Sequence, residues 1–176
     1  MENKKNIVLT GFMGTGKTTV GRFLAKKLGM SFVDVDELIE KTTGLKITEI
    51  FARFGEAYFR DIETEIIKAI TKNSSQVIAT GGGAVLRDEN LNALKSKGVV
   101  FCLTASEDVI FDRVKDNNER PLLQGEDPKE KIRKLLVQRM PRYMMADFII
   151  NTDGLTQEEV TEKIIKEYER IVNGKN

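Results

Sequence analysis

Histidine is absent from the 176 residues of this chain. That removes the commonest general base and the commonest transition-metal ligand, so any catalysis must use carboxylates, cations and backbone groups. With one cysteine, no disulfide can form within the chain. Cys102 falls inside the apolar run Val99 to Leu103, where a buried structural thiol is expected rather than a reactive one. An excess of either charge is also missing: 28 Lys and Arg stand against 27 Asp and Glu. The balance argues against a basic nucleic-acid surface and against an acidic solvating arm. No apolar run approaches membrane-spanning length, and the opening residues MENKKN are polar and lead directly into an apolar strand. Neither a signal peptide nor an anchor is expected, and cytoplasmic residence is the default. The length suits one domain over 1–176, with a central sheet covered on both faces.

What is present begins at Gly11, where GFMGTGKT follows the short apolar run Ile7 to Leu9 and opens a helical pattern through Val20, Phe23, Leu24 and Leu28. This is a phosphate-binding loop. Its glycines, Gly14 and Gly16 among them, let the backbone curl so that successive amides face inward. Lys17 reaches the terminal phosphates, and the Thr18 hydroxyl can join a magnesium shell. The helix beginning here adds its positive dipole end.

Short β-rich runs alternate with longer segments of helical period, which predicts a parallel α/β sheet. Strands are expected at Ile7–Thr10, Ser31–Asp34, Gln76–Thr80, Val99–Leu103 and Asp147–Asn151. Several are apolar throughout, as strands covered on both faces should be. Helices are expected at 17–28, 36–43, 47–71 with a break near Gly55, 88–97, 107–115, 128–144 and 156–172. The stretch 116–127, DNNERPLLQGED, gathers Asn, Pro, Gly and charge between two helices and reads as a mobile loop.

Three further features point to an enzyme. Asp34 and Asp36 end the second strand in FVDVD, and strand periodicity would point both carboxylates to one side, roughly 7 Å apart. One could hold magnesium water while the other takes a substrate hydroxyl; the plainer alternative is that Asp36 caps the next helix and Asp34 is solvated. Gly81, Gly82 and Gly83 directly follow the third strand, where they either let a ligand approach the backbone closely or form a flexible turn. Arg139 lies within the apolar stripe Ile132, Leu135, Leu136, Met140 and Tyr143, and a guanidinium on a buried face needs an anionic partner. Arg60 flanks another stripe, with Glu63 one turn on as an intrahelical partner. Arg120, before Pro121, and Arg113, on the helix leading into the loop, read in isolation as surface charges.

Taken together, the phosphate loop, FVDVD, FRDIE at 59–63, TGGG at 80–83, RPLL at 120–123 and the Arg139, Pro141, Tyr143 pattern resemble the shikimate kinases over nearly the whole chain. The resemblance implies a three-layer nucleoside-monophosphate-kinase-like fold with a five-stranded parallel sheet in the order 2-3-1-4-5. It also implies a substrate-binding region near 34–62 and a lid near 112–127. The implied reaction is ATP plus shikimate giving ADP and shikimate 3-phosphate, a step towards chorismate and the aromatic amino acids. By the same resemblance, Arg60 and Arg139 hold the substrate carboxylate, with Glu63 orienting Arg60. Asp36 and Gly82 hold its hydroxyls, and Gly81 and Gly83 belong to the surrounding loop. Gly14, Thr15, Gly16, Lys17, Thr18 and Thr19 line the ATP phosphates, Thr18 and Asp34 serve Mg2+, Arg120 reaches the transferring phosphate, and Arg113 packs on adenine. Lys17, Asp36 and Arg120 are then the catalytic set, with Asp36 orienting the attacking hydroxyl and accepting its proton.

Arg142 departs from the family pattern, which often has Leu before the tyrosine; an outward-pointing side chain is expected. The adenine contact after the last strand, within Thr152 to Thr156, stays unassigned. The alternatives are a kinase of another small hydroxy acid such as gluconate, and a non-catalytic nucleotide-binding module. A guanine-nucleotide switch would need an Asn-Lys-x-Asp motif, and none occurs. A monomer without nucleic-acid or membrane partners is expected.

Overall fold

In the computed structural model, which describes residues 5–115 and 127–174, five parallel strands lie in the order β2-β3-β1-β4-β5. These are β1 (Asn6–Thr10), β2 (Ser31–Asp34), β3 (Gln76–Ala79), β4 (Gly98–Thr104) and β5 (Phe148–Asn151). Alternation along them divides the interior in two, because successive side chains leave opposite faces of a sheet. Ile7, Leu9, Val99, Phe101 and Leu103 pack with Val20, Leu24, Val160, Ile164 and Tyr168, beneath helices α1 (Lys17–Leu28) and α7 (Gln157–Val172). Val8, Val100 and Cys102 enter the other cluster, with residues from α2 (Val35–Thr43), α3 (Ile47–Ile70), α4 (Asp88–Lys97), α5 (Glu107–Val114) and α6 (Pro128–Tyr143). Burial pushes the Cys102 thiol up to about 12, so it remains protonated and is a packing residue.

Register places the site. Leu9 pairs with Ala79 and with Phe101, so the chain leaves β1 and β3 side by side at the carboxyl edge, and the phosphate loop and the three glycines emerge as neighbours. Open parallel sheets bind ligands at this edge. Gly11 turns the chain there with φ 128°, and a Cβ on it would lie 2.1 Å from the Leu103 carbonyl oxygen. Only glycine fits.

Helix α3 contains the expected interruption: Gly55 has φ 83° and ψ 172°. One element was not expected, a 3-10 turn at Ala84–Leu86 joining the glycines to α4. No helix among the described residues is long and apolar enough to cross a membrane.

Candidate active site

The phosphate loop wraps the N-terminus of α1, whose cap residue Gly16 has φ 93°; Gly14, with φ 76°, makes the preceding turn. Both values are costly for residues with a Cβ. Lys17, 8% exposed, lies back across the loop, its Nζ donating to the carbonyls of Gly11 at 2.9 Å and Phe12 at 2.8 Å. The Thr15 hydroxyl donates to the same Phe12 carbonyl at 2.8 Å. Arg113 approaches from α5 and donates to the Gly14 carbonyl at 3.0 Å, which places it on the loop's outer rim.

The paired aspartates require a correction. Helix α2 begins at Val35, so Asp34 and Asp36 do not share a strand face. Asp34, not Asp36, is the cap: its Oδ1 accepts from the amides of Asp36 at 3.0 Å and Glu37 at 3.3 Å. Nor is it merely solvated, since Oδ2 accepts the Thr18 hydroxyl at 2.7 Å. A hydroxyl and a carboxylate oxygen side by side suit a hard cation that keeps several waters and takes its remaining ligands from phosphates. Asp36, in the first helical turn, is thereby aimed elsewhere. A Cβ on Gly81 would lie 2.8 Å from Asp36 Oδ1 and 3.0 Å from Glu63 Oε1.

Around Gly81 to Gly83 the second half of the site assembles. Arg60 is 8% exposed and Glu63 is 0% exposed, and they pair at 2.8 Å; Glu56 braces the same guanidinium at 3.1 Å. Burial pushes the Glu63 carboxyl up, and the Arg60 charge opposes that shift. The Arg60 guanidinium lies over Phe59, 5.0 Å from the ring centroid. Arg139, 5% exposed, faces the Phe12 ring at 5.8 Å, and it makes no ion pair among the described residues. Tyr143, one turn on, donates its hydroxyl to the Gly82 carbonyl at 2.6 Å. Burial pushes that hydroxyl up to about 12 against the pull of Arg139, so it holds its proton. The two halves meet at Gly82, where an added Cβ would lie 3.3 Å from the Met13 amide nitrogen of the phosphate loop.

A family model described as Shikimate kinase matches residues 13–169. The shikimate kinase of Thermodesulfovibrio yellowstonii is 67% identical over 171 residues, covering 97% of this chain and 99% of that protein. The chain belongs to the shikimate kinase family. Among solved structures, the shikimate kinase of Acinetobacter baumannii in complex with shikimate is 40% identical with a TM-score of 0.92, covering 99% of this chain and 96% of that one. The enzyme from Aquifex aeolicus is 39% identical with a TM-score of 0.84, covering 95% and 98%.

As a member of the shikimate kinases, the chain has the sheet order that its resemblance implied. Gly14, Thr15, Gly16, Lys17, Thr18, Thr19, Asp34 and Arg113 fall on or beside the phosphate loop. Asp36, Arg60, Gly81, Gly82 and Gly83 fall together around the glycine segment, and Arg139 lies over Phe12 of the phosphate loop, one turn before the Tyr143 that bonds Gly82. Arg120 and the RPLL run lie outside the described residues, as does most of the region 112–127.

Two further expectations are overturned. Met140 is 37% exposed, so the apolar stripe of α6 is narrower than its spacing suggested, although Arg139 is buried. Arg142 does not point outward; it folds back onto the Val85 carbonyl and Asp88.

Sequence reasoning also gave no part to Phe12, which floors Arg139, or to the Tyr143 hydroxyl. A buried tyrosine at helical spacing in an apolar stripe does announce that its hydroxyl will seek a partner, but not which one.

At Gly83 an added Cβ would lie 2.3 Å from Arg60 Nη2. Gly83→Ala is therefore expected to displace that guanidinium and raise the KM for the acceptor about tenfold, with the KM for ATP little changed. Steady-state kinetics with each substrate varied would check this, and an unaltered acceptor KM would show that Arg60 does not serve the acceptor.

Proposed function

We propose that this shikimate kinase transfers the terminal phosphoryl group of ATP to a hydroxyl of shikimate, with the acceptor seated between Arg60, Arg139 and the Gly81–Gly83 segment. The observation that carries the acceptor assignment is Arg139: a guanidinium 5% exposed, facing an aromatic ring and making no ion pair among the described residues. Burying such a charge is expensive unless an anion arrives. A substrate carboxylate matches it, because a planar guanidinium meets a carboxylate with paired hydrogen bonds. Arg60 is fixed by Glu63 and Glu56 and presents its remaining edge over Gly83.

On the donor side, the loop amides and Lys17 receive the phosphates, with Thr15, Thr18 and Thr19 at their rim and Arg113 towards the base. Thr18 and Asp34 would hold Mg2+, which supplies charge neutralisation on the phosphate oxygens. Asp36 orients the attacking hydroxyl and takes its proton. Asp34 takes the capping role, and Asp36 lies beside Gly81 and Glu63, at the segment where the acceptor is proposed to sit. Phosphoryl transfer asks mainly for alignment and neutralisation of charge, and these residues supply both. Arg120 belongs to the same proposal as a cation for the transferring phosphate. A substrate-binding region near 34–62, a lid near 112–127, a cytosolic location and a monomeric state complete it.

The test is ADP release with magnesium and ATP, in the presence and absence of shikimate, with gluconate and nucleoside monophosphates as control acceptors. Stimulation by shikimate alone is expected. Equal stimulation by gluconate would transfer the acceptor assignment to another hydroxy acid, and no stimulation by any acceptor would leave a nucleotide-binding module.

A further inference from the structure

The end of α6 is fastened at two points to the segment that follows the third strand. Tyr143 donates to the Gly82 carbonyl at 2.6 Å. Its neighbour Arg142 reaches the far end of the same segment, Nε donating to the Val85 carbonyl at 3.1 Å and Nη2 to Asp88 Oδ1 at 2.6 Å. The remaining guanidinium nitrogen lies 3.6 Å from the Met145 sulfur. Between the two anchors, Asn90 Nδ2 donates to the Ala84 carbonyl at 2.9 Å. The amides of Ala84 and Leu86 close turns onto the carbonyls of Gly81 and Gly83, each at 3.1 Å. Every carbonyl from Gly81 to Val85 is thus engaged. Peptide planes held by their carbonyls cannot swivel, although glycine would otherwise permit it. Among the described residues, the amides of Gly81, Gly82 and Gly83 donate to no backbone carbonyl.

Arg139 sits three residues before Arg142, one turn back on the same helix. The contacts of Arg142 therefore fix the end of α6 that carries Arg139 against the segment that carries the glycines.

We propose that Arg142 is a positioning residue for the acceptor site, setting the distance between the Arg139 guanidinium and the glycine backbone by bridging α6 to Val85 and Asp88. The inference rests on the acceptor reading of Arg139 and Gly82 given above. The ion pair is not the important part of the bridge. The Asp88 side chain is 77% exposed, and an ion pair so wetted is a weak constraint. What distinguishes Arg142 is two donors in one plane spanning a carbonyl and a carboxylate, a geometry that a lysine ammonium cannot reproduce. The competing account is electrostatic: one more cation near the site would draw in an anionic acceptor whatever its geometry.

Steady-state kinetics of the full chain carrying Arg142→Ala, Arg142→Lys or Arg139→Ala, each with its thermal midpoint recorded, separate these accounts. Both Arg142 variants are expected to raise the KM for shikimate about threefold to tenfold, with kcat and the KM for ATP within about twofold of the unaltered chain. An unaltered KM in Arg142→Lys would assign the effect to charge and overturn the proposal. A lowered thermal midpoint with no selective change in shikimate KM would reduce Arg142 to a stabilising surface contact and overturn it too. If Arg139→Ala weakens shikimate use while both Arg142 variants are silent, the positioning role alone fails. If Arg139→Ala is silent as well, the acceptor reading beneath it fails.

Discussion

Replacing Lys17 with alanine is expected to lower kcat about a thousandfold with shikimate, and to suppress turnover equally with any other acceptor. Its ammonium is buried and donates to two carbonyl oxygens of its own loop, which holds the charge against the turn that carries Gly14 and Gly16. That places the charge within the loop that is expected to receive the phosphates. When ATP binds, the charge that develops on the transferring group meets a group already in place, so little reorganisation accompanies the reaction. The alanine variant loses that stabilisation while Gly14 and Gly16 keep the loop's turns. Folding should survive, since the deletion removes a desolvated charge and not a packed apolar group. Measuring kcat at saturating magnesium-ATP and shikimate, with thermal denaturation as a control for folding, checks this. A kcat within tenfold of the unaltered chain would remove Lys17 from the phosphate site.

How far such roles can be read before coordinates exist depends on the range of the interactions that fix them. The strands were readable because β3 and β4 are apolar on both faces, a composition that follows from burial between two helical layers. The break at Gly55 was readable because glycine interrupts a helical period locally. The division of labour between Asp34 and Asp36 was not. It turns on whether the helix starts at residue 35 or 36, a one-residue boundary that propensity does not resolve, yet it decides which carboxylate caps and which lies against Gly81. Gly81 to Gly83 read equally well as a flexible turn or a ligand platform; the reason for glycine at 83 is a long-range one, since Arg60 Nη2 lies 2.3 Å from where a Gly83 Cβ would be. For Arg142 the sequence offered a surface position on a helix. Its partners Val85 and Asp88 are 57 and 54 residues away, and nothing local encodes them.

Arg139→Lys should separate acceptor binding from nucleotide binding. The substitution keeps the charge and most of the length, so the buried site remains cationic, but a single ammonium replaces the planar pair of donors. A lost charge-assisted hydrogen bond is worth about 1.5–3 kcal/mol, which corresponds to a drop of about tenfold to a hundredfold in kcat/KM for shikimate. The affinity for magnesium-ATP in the absence of acceptor should be nearly unchanged. Arg139 meets the phosphate loop through the Phe12 ring, whereas the backbone of Phe12 is held separately by Lys17 and Thr15. Loosening the guanidinium from the ring therefore leaves the loop's own hydrogen bonds intact. Titration calorimetry with ATP, beside initial rates with shikimate varied, tests both halves. Equal losses for nucleotide and acceptor would mean that Arg139 acts through the loop, and the carboxylate would then have to be held by Arg60 without it.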